Sequence, residues 1–275
     1  MYSIYHFFKS VVDKKSQLRT VVDLRLFPFD NSLLSCRSEG KFPDIALRLN
    51  KYREDFSGGE LVEIKDSKSY SIASFNSTLP TGTKKISEIV GSESDIKHQM
   101  EKAGDDIFSL MDREVYYFIR GWKKGNLKVC LVHGSFFETV RIEELIKGAF
   151  AQVLEERLEE TGEELPDDIK KRLISIFSQQ DNFRRVRDVQ KASVKLRFRI
   201  MTEVKTEGNI LNSRQYPDIL DNTLNLVVPC HDIGEENLQD KKMDEVFGKK
   251  RFSNLLHFKV KHPLNGHFLV YQIAI

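Results

Sequence analysis

The sequence predicts an α/β (α+β) protein in which helices flank a central mixed β-sheet, with additional helices and β-hairpins. Alternating apolar and polar residues, typical of half-buried strands, recur along the chain, and segments with helical spacing lie between them. With 275 residues, of which 40% are hydrophobic and 31% charged, the chain can bury a sizeable core. This composition excludes disordered, collagen-like and coiled-coil classes. We expect a single domain over residues 1–275.

The first part of the chain predicts one helix and two strands. Apolar residues at helical spacing within residues 5–12 indicate an amphipathic helix. Residues 45–49 alternate as in a half-buried strand, and Asp44 opens this strand. After a turn at Gly58-Gly59, residues 60–66 alternate again and predict the second strand.

The middle of the chain predicts a helix and a hairpin. Apolar spacing within residues 92–110 indicates a helix that Ser92 or Ser94 caps. Residues 115–120 and 127–132 are strongly apolar, and a turn at residues 124–126 separates them. We therefore expect two adjacent antiparallel strands here.

The remaining part predicts two helices before strands return. Residues 142–158 have a strong helical pattern, and Pro166 begins another helix that runs to about residue 177. Strand patterns follow at residues 194–200 and 224–228, and a terminal hairpin turns near residues 263–266. The strand at 194–200 carries basic residues on one face and apolar residues on the other.

Apolar runs and cysteines indicate the compartment. No apolar run approaches the roughly 20 residues needed to cross a bilayer, and the opening stretch lacks the apolar segment of a secretory signal. The three cysteines have neither CxxC nor CxxH spacing, which argues against a disulfide framework or a zinc site. We expect a soluble, cytoplasmic protein with no membrane partner.

Charge is strongly segregated although the net charge is only +2. Residues 184–214 contain nine basic and three acidic residues, whereas residues 155–168 contain eight acids and one base. Such a chain can present a basic face to a polyanion. From the composition alone, it is equally reasonable that the basic and acidic segments are simply two solvated surfaces that bind no polyanion.

Two carboxylates and an ammonium are predicted to converge on the sheet. Residues two apart on a strand project the same way, so Glu63 and Lys65 share a face, and a neighbouring strand can bring Asp44 beside them. Mg²⁺ suits such oxygen ligands, because it binds through one or two carboxylates and completes its shell with water and phosphate. Two carboxylates, an ammonium and Mg²⁺ are groups that can catalyse phosphodiester hydrolysis.

In such a site Asp44 and Glu63 would hold the metal, with the Ile64 backbone carbonyl as a further ligand. The metal would polarise the phosphate and stabilise charge in the transition state. Lys65 would orient or deprotonate the attacking water, or neutralise the pentavalent phosphate. The sequence leaves these roles open, although an ammonium beside two carboxylates normally stays protonated.

Sequence context distinguishes this constellation from similar short patterns. Pro-Asp occurs three times, and an acid two residues before a lysine occurs often. Only Pro43-Asp44 followed by Glu63-Ile64-Lys65 has both halves on predicted strands in the required order. The competing interpretation is an accidental surface cluster.

The motifs at residues 42–44 and 61–65 resemble those of the PD-(D/E)xK nuclease superfamily, and within it the type II restriction endonucleases. The polar stretch at residues 74–82 is similar to the DNA-contacting stretch that follows the catalytic lysine in several such enzymes. The resemblance covers under a third of the chain. It implies a restriction-endonuclease-like core with an αβββαβ order of elements.

Carried over by position, the resemblance implies that Asp44 and Glu63 are metal ligands and that Lys65 is the catalytic lysine. Some members use a further upstream glutamate, for which Glu39 is the nearest candidate. The implied cofactor is Mg²⁺, with Mn²⁺ as a substitute.

Several polar and basic residues are candidates for DNA contacts, because hydroxyl, amide and cationic donors suit phosphates and base edges. They are Ser69, Asn76, Ser77, Thr78, Lys84, Lys85, Arg184, Arg185, Arg187, Lys195, Arg197 and Arg199. A hydrated polar loop and a charged, solvated sheet face are the competing interpretations.

The leading hypothesis is a Mg²⁺-dependent, sequence-specific endonuclease that cuts double-stranded DNA. Residues 20–140 would form the catalytic core and residues 141–275 would supply recognition and dimerisation elements. Cutting both strands of a palindrome favours a homodimer with one active site per strand. A restriction enzyme also requires a cognate DNA methyltransferase in the host, though not as a stable complex.

Three alternatives remain at this point. A structure-selective repair or recombination nuclease of the same superfamily would share the site. A non-catalytic DNA-binding protein would bind DNA in a salt-sensitive way without a metal-dependent product. A protein-interaction module using the acidic residues 155–168 would have no appreciable DNA affinity.

Overall fold

A computed structural model describes the chain in five stretches: residues 3–49, 58–72, 80–138, 142–178 and 208–275. The chain divides into two compact units, of which the first comprises residues 1–138 and 202–275 and the second residues 139–201. The strand expected at residues 194–200 lies outside the described residues.

One mixed sheet organises the first unit. Its described strands are β1 (Leu34–Arg37), β2 (Ile45–Leu47), β3 (Leu61–Ser67), β4 (Thr83–Lys85), β5 (Asp112–Lys123), β6 (Asn126–His133), β7 (Thr223–Pro229), β8 (Leu256–His262) and β9 (Gly266–Ala274). The order is β1-β2-β3-β5-β6-β7-β9-β8, with β4 paired to β5 off this path. Strands β1 to β3 are antiparallel neighbours, whereas β3 runs parallel to β5 and β6 parallel to β7. The predicted mixed α/β fold with a central mixed sheet and flanking helices is confirmed.

Helices accompany this sheet. In the first unit they are α1 (Ser3–Asp13), α2 (Ile86–Ile89), α3 (Asp95–Lys102), α6 (Ile233–Phe247) and α7 (Lys249–Phe252). Short 3-10 turns add Lys15–Arg19, Leu24–Leu26, Asn31–Leu33 and Gly134–Phe136. None of the helices within the described stretches is long and apolar enough to cross a membrane.

Alternation along the strands builds two apolar cores, one on each face of the sheet. On β3, Val62 and Ile64 belong to the core that includes residues of α1 and α6, whereas Leu61 belongs to the core that includes residues of α3. Glu63 and Lys65 therefore project on the α3 side, because residues two apart on a strand share a face. The candidate site lies on this side of the sheet.

Several local expectations from the sequence are confirmed. Ser94 caps α3, because its side chain accepts a hydrogen bond from the Lys97 amide. Strands β5 and β6 are joined at Lys124-Gly125, both with positive φ, as a two-residue hairpin turn requires. The first helix and the terminal hairpin also form as expected.

Other elements differ from the sequence expectation. The helix expected over residues 92–110 ends at Lys102, because Gly104 takes a φ of +73° and turns the chain away. Strand β1 is only four residues long and gave no alternating signal. Helix α6 was missed because its buried residues, Met243, Val246 and Phe247, all lie in its last turns.

The second unit contains a helical hairpin in its described part. Helix α4 spans Ile142–Thr161 and α5 spans Asp167–Ser178, as the sequence predicts. Gly162, with a φ of +68°, follows α4, and Pro166 precedes α5. The acidic residues 155–168 occupy the end of α4, the turn and the first two positions of α5.

Candidate active site

Strand pairing brings the two halves of the motif together. In the β2–β3 ladder Ile45 pairs with Val62 and Ala46 with Leu61. Continued by one residue, this antiparallel register puts Asp44 level with Glu63. Two carboxylates that are far apart in sequence therefore lie on adjacent strands at the same height.

Asp44 is buried and held by the neighbouring strand. Its Oδ2 accepts a hydrogen bond of 2.7 Å from the backbone N–H of Ile64. Burial raises the pKa of Asp44, while the Ile64 N–H and the cations of Arg25 and Lys65 act in the lowering direction. The carboxylate is thus pre-positioned where a positive charge would relieve the cost of its burial.

Glu63 and Lys65 form an ion pair along β3. Lys65 Nζ donates to Glu63 Oε1 at 3.0 Å, with the side chains 24% and 8% exposed respectively. Burial raises the pKa of Glu63, and nearby Asp44 raises it further, whereas Lys65 and Lys84 lower it. The Lys65 side chain is therefore more exposed to solvent than that of Glu63.

The donor set fits Mg²⁺. Within the described stretches no group of three or more His, Cys, Asp or Glu residues is arranged to hold a metal. Mg²⁺ does not need such a cage, because one or two carboxylates suffice beside water and substrate phosphate. The amide and carbonyl of a strand residue point to the same edge, so the Ile64 carbonyl faces the same side as the N–H bonded to Asp44. Asp44, Glu63 and this carbonyl are a set of oxygen donors of the kind that Mg²⁺ prefers.

Lys84 lies beside the motif. Its Nζ is 4.7 Å from the centroid of the Phe42 ring, two residues before Asp44. Burial lowers the pKa of Lys84, and the nearby carboxylates of Glu88 and Glu63 raise it. Lys85, the next residue on β4, is exposed. The structure thus separates two lysines that the sequence treats alike.

A glycine permits the path of the chain just before β4. A Cβ at Gly134 would stand 1.9 Å from the Thr81 carbonyl oxygen, so any other residue would force the two segments apart. This close approach fixes the chain just before Lys84.

The remaining candidates are distributed differently. Ser69 is exposed after the end of β3, with its Oγ 3.3 Å from the Ser67 hydroxyl. Glu39 is exposed in the turn between β1 and β2. The other candidates lie outside the described residues: Asn76, Ser77, Thr78, Arg184, Arg185, Arg187, Lys195, Arg197 and Arg199.

An ion pair that no sequence pattern predicts anchors β3. Asp66 accepts hydrogen bonds from Arg120 Nε at 2.8 Å and from the Leu24 amide at 3.0 Å. Arg120 also donates to the carbonyls of Leu18 and Val21, at 2.9 and 3.0 Å. Asp66 follows Lys65 directly, so this ion pair ties residues 18–24 to the candidate catalytic strand. No sequence pattern marks it, since its partners are scattered along the chain.

Comparisons of the chain with protein-family models, curated proteins and solved structures find no match. The functional conclusion therefore depends on the geometry of Asp44, Glu63 and Lys65.

Proposed function

We propose that the chain is a Mg²⁺-dependent, sequence-specific double-stranded DNA endonuclease with a restriction-endonuclease-like core of the PD-(D/E)xK type. The observation that carries this proposal is the convergence of Asp44 and Glu63 at the same level of adjacent strands, with Lys65 bonded to Glu63. Metal-dependent phosphodiester hydrolysis can use this combination of oxygen ligands and a cation.

The order of elements supports the same proposal. Helix α1 precedes the three antiparallel strands β1 to β3, and α3 leads to β5, which pairs in parallel with β3. Apart from the short elements β4 and α2 between β3 and α3, this succession agrees with the αβββαβ order that the resemblance implies. The two motif halves lie at the start of β2 and within β3.

The chemistry follows from the placement of each group. Asp44 and Glu63, together with the Ile64 carbonyl, would hold Mg²⁺, which when bound supplies positive charge beside a phosphate and a more acidic water. An ammonium has three N–H donors, so Lys65 can bond Glu63 and a phosphate oxygen together. In this position Lys65 stabilises negative charge that develops on the phosphate in the transition state.

The decisive experiment is cleavage of a long, unmethylated duplex DNA of known sequence. Wild-type protein is incubated with Mg²⁺ or with chelator, beside Lys65→Ala and a matched control, Lys68→Ala. Lys68 is exposed and belongs to another acid-x-Lys triplet, Asp66-Ser67-Lys68. We expect discrete Mg²⁺-dependent fragments from the wild type and from Lys68→Ala, and none from Lys65→Ala.

Other outcomes identify other functions. Cleavage confined to flaps, junctions or ends indicates a structure-selective nuclease. Salt-sensitive binding without a metal-dependent product indicates a DNA-binding protein. The absence of DNA affinity leaves an interaction module that uses the acidic residues 155–168. Unchanged cleavage by Lys65→Ala removes Lys65 from the mechanism.

Recognition of a palindrome makes a homodimer part of this proposal, because two-fold symmetry supplies one site per strand. Light scattering on the protein with and without duplex DNA tests it, and a monomer under both conditions contradicts it. The restriction role also requires a host methyltransferase, and prior methylation of the target should block cleavage.

A further inference from the structure

A row of polar side chains continues from the candidate site along one face of β3. Residues two apart on a strand share a face, so Ser67 projects on the same side as Glu63 and Lys65. Its hydroxyl lies 3.3 Å from that of Ser69 and donates to the Ser71 carbonyl at 2.8 Å. Lys65 and Ser67 are half-buried, and Ser69 is exposed. Hydrogen-bonding groups that solvent can reach therefore lead away from Lys65 beyond the end of β3.

Lys123 lies on the same face, at the end of the neighbouring strand. In the parallel ladder between β3 and β5, Lys65 is level with Ile119. Gly121 faces the apolar core on the α3 side, because a Cβ there would stand 2.6 Å from Leu211 Cδ1. Lys123 follows Gly121 by two residues on β5 and therefore shares this face. It is four residues beyond the level of Lys65, which is about 13 Å along the strand.

The ring of Tyr70 holds the Lys123 ammonium over this face. Lys123 Nζ lies 5.6 Å from the ring centroid, within the range of a cation–π interaction. The Cδ1 atom of the ring lies 3.2 Å from the position that a Cβ of Gly121 would take. Tyr70 is fixed at both ends, because its hydroxyl donates to Asp221 at 3.0 Å and its backbone carbonyl accepts from Asn209 Nδ2 at 2.8 Å. The ammonium is thus pre-organised by a neutral partner.

Among the residues that the structure describes, no carboxylate pairs with Lys123, and its side chain is exposed. Asp221, which accepts from Tyr70, pairs instead with the buried Lys128 at 3.6 Å. Its other carboxylate oxygen accepts a hydrogen bond from Asn126 at 2.9 Å. An ammonium has three N–H donors, and contact with a ring does not neutralise its charge. The charge and the donors of Lys123 therefore remain available to an anion.

We propose that Lys123 binds a backbone phosphate of the DNA, outside the scissile phosphate and in the direction that runs from Glu63 to Lys65. This inference rests on the proposed nuclease function. Ammonium and hydroxyl groups are donors that commonly contact phosphate oxygens. Lys65, Ser69 and Lys123 present such donors along one face. This arrangement suits a DNA backbone that runs past the end of β3, because phosphates repeat at regular intervals along a strand.

The test compares Lys123→Gln with Lys250→Gln. Lys250 is a matched control, because it is also an exposed lysine that pairs with no carboxylate in the part of the chain that the structure describes. Its helix α7 packs through Phe252 on the opposite face of the sheet from Glu63. Both changes are made in the Lys65→Ala background, and binding of short duplex fragments of the test DNA is measured with Mg²⁺ over a range of salt. Cleavage kinetics are measured separately with Lys65 present.

We expect Lys123→Gln to make the slope of log K against log salt less steep by about 0.9, because one phosphate contact is lost. In cleavage it should raise KM by about fivefold and leave kcat unchanged, because the contact lies away from the reacting bond. Lys123→Arg should keep the salt slope, since the charge remains. Lys250→Gln should change none of these quantities.

The outcomes separate this inference from the proposed function. If the wild type cuts DNA and Lys123→Gln behaves like Lys250→Gln, Lys123 binds no phosphate and only this inference is overturned. If the wild type binds DNA without cutting it and the slope depends on Lys123 but not on Lys250, hydrolysis is overturned and the phosphate contact stands. If the wild type neither cuts nor binds DNA, both are overturned.

Discussion

The backbone N–H of Ile64 donates a 2.7 Å hydrogen bond to the Asp44 carboxylate. This bond joins the two halves of the motif at the point where β2 begins, because Ile45 is the first residue of that strand. Asp44 therefore serves two purposes, as a hydrogen-bond acceptor in the fold and as an anionic ligand in the proposed chemistry. The two purposes can be separated by substitution.

Asp44→Asn should keep the fold and lose cleavage. The amide oxygen still accepts from Ile64, but the charge that would hold Mg²⁺ is gone, so we expect a loss of about 100-fold or more in kcat/KM. Asp44→Ala should in addition lower the free energy of unfolding by about 1–3 kcal/mol, since the buried Ile64 N–H loses its partner. Cleavage rates and urea unfolding measure the two effects, and an active Asp44→Asn protein contradicts the assignment.

Cleavage should depend on pH through the two carboxylates. Burial raises the pKa of both Asp44 and Glu63 above their ordinary values of 3.8 and 4.5, and both must ionise to hold the metal. The rate should therefore fall with decreasing pH at a higher pH than for exposed carboxylates. Raising the Mg²⁺ concentration should move this limb to lower pH, because metal and proton compete for the same oxygens. If the pH at which the rate falls does not change with Mg²⁺ concentration, Asp44 and Glu63 are not the metal ligands.

Lys84 and Lys85 should differ in their effects. Lys84 lies near Glu63 and lowers its pKa, so Lys84→Ala should move the acid limb of cleavage to higher pH and lower kcat by about tenfold. Lys85 is exposed, and Lys85→Ala should leave the limb in place. The test is the pH profile of cleavage for both variants, measured at one Mg²⁺ concentration. Identical profiles would contradict a role for Lys84 that Lys85 does not share.

The ion pair between Arg120 and Asp66 on β3 should contribute strongly to the free energy of unfolding. Arg120→Met removes the cationic partner of Asp66, which keeps its bond from the Leu24 amide, and breaks bonds to the Leu18 and Val21 carbonyls, at a cost of about 3 kcal/mol. Arg251→Met removes an exposed ion pair and should cost less than about 1 kcal/mol. Urea unfolding of both variants measures these losses. Equal losses in the free energy of unfolding would show that the Arg120–Asp66 ion pair does not anchor β3.

Glu60 should make stability depend on pH in the opposite sense to most carboxylates. It is buried, it accepts a hydrogen bond from the Ile4 amide at 3.3 Å, and burial raises its pKa from 4.5 to about 7. The folded state therefore binds the proton more tightly, so its contribution is complete below pH 4.5 and is lost as pH rises through 7.

The matched pair for this prediction is Glu60→Gln and Glu39→Gln, since Glu39 is exposed. We expect Glu60→Gln to remove up to about 3 kcal/mol of pH dependence in the free energy of unfolding. Glu39→Gln should retain the dependence of the wild type. A wild-type pH dependence in Glu60→Gln would assign the effect to other groups.

The sequence by itself determined the elements whose pattern is local. Alternation along residues 60–66 marked β3 and put Glu63 and Lys65 on one face, but it only allowed, and did not determine, the pairing of β3 with β2. The proline-aspartate and glutamate-lysine pairs were visible because each is short and lies on a strand. Periodicity predicts such features, since it depends only on neighbouring residues.

Only the tertiary structure decided which distant residues surround that motif. Lys84 lies against Phe42 beside Asp44, and Arg120 pairs with Asp66 on β3, although both cations come from other parts of the chain. The tertiary structure also distinguished the half-buried Lys84 from the exposed Lys85, two adjacent lysines that the sequence alone does not tell apart. The physical reason is that Coulomb interactions and desolvation act through space, whereas a sequence pattern records only the order of residues along the chain.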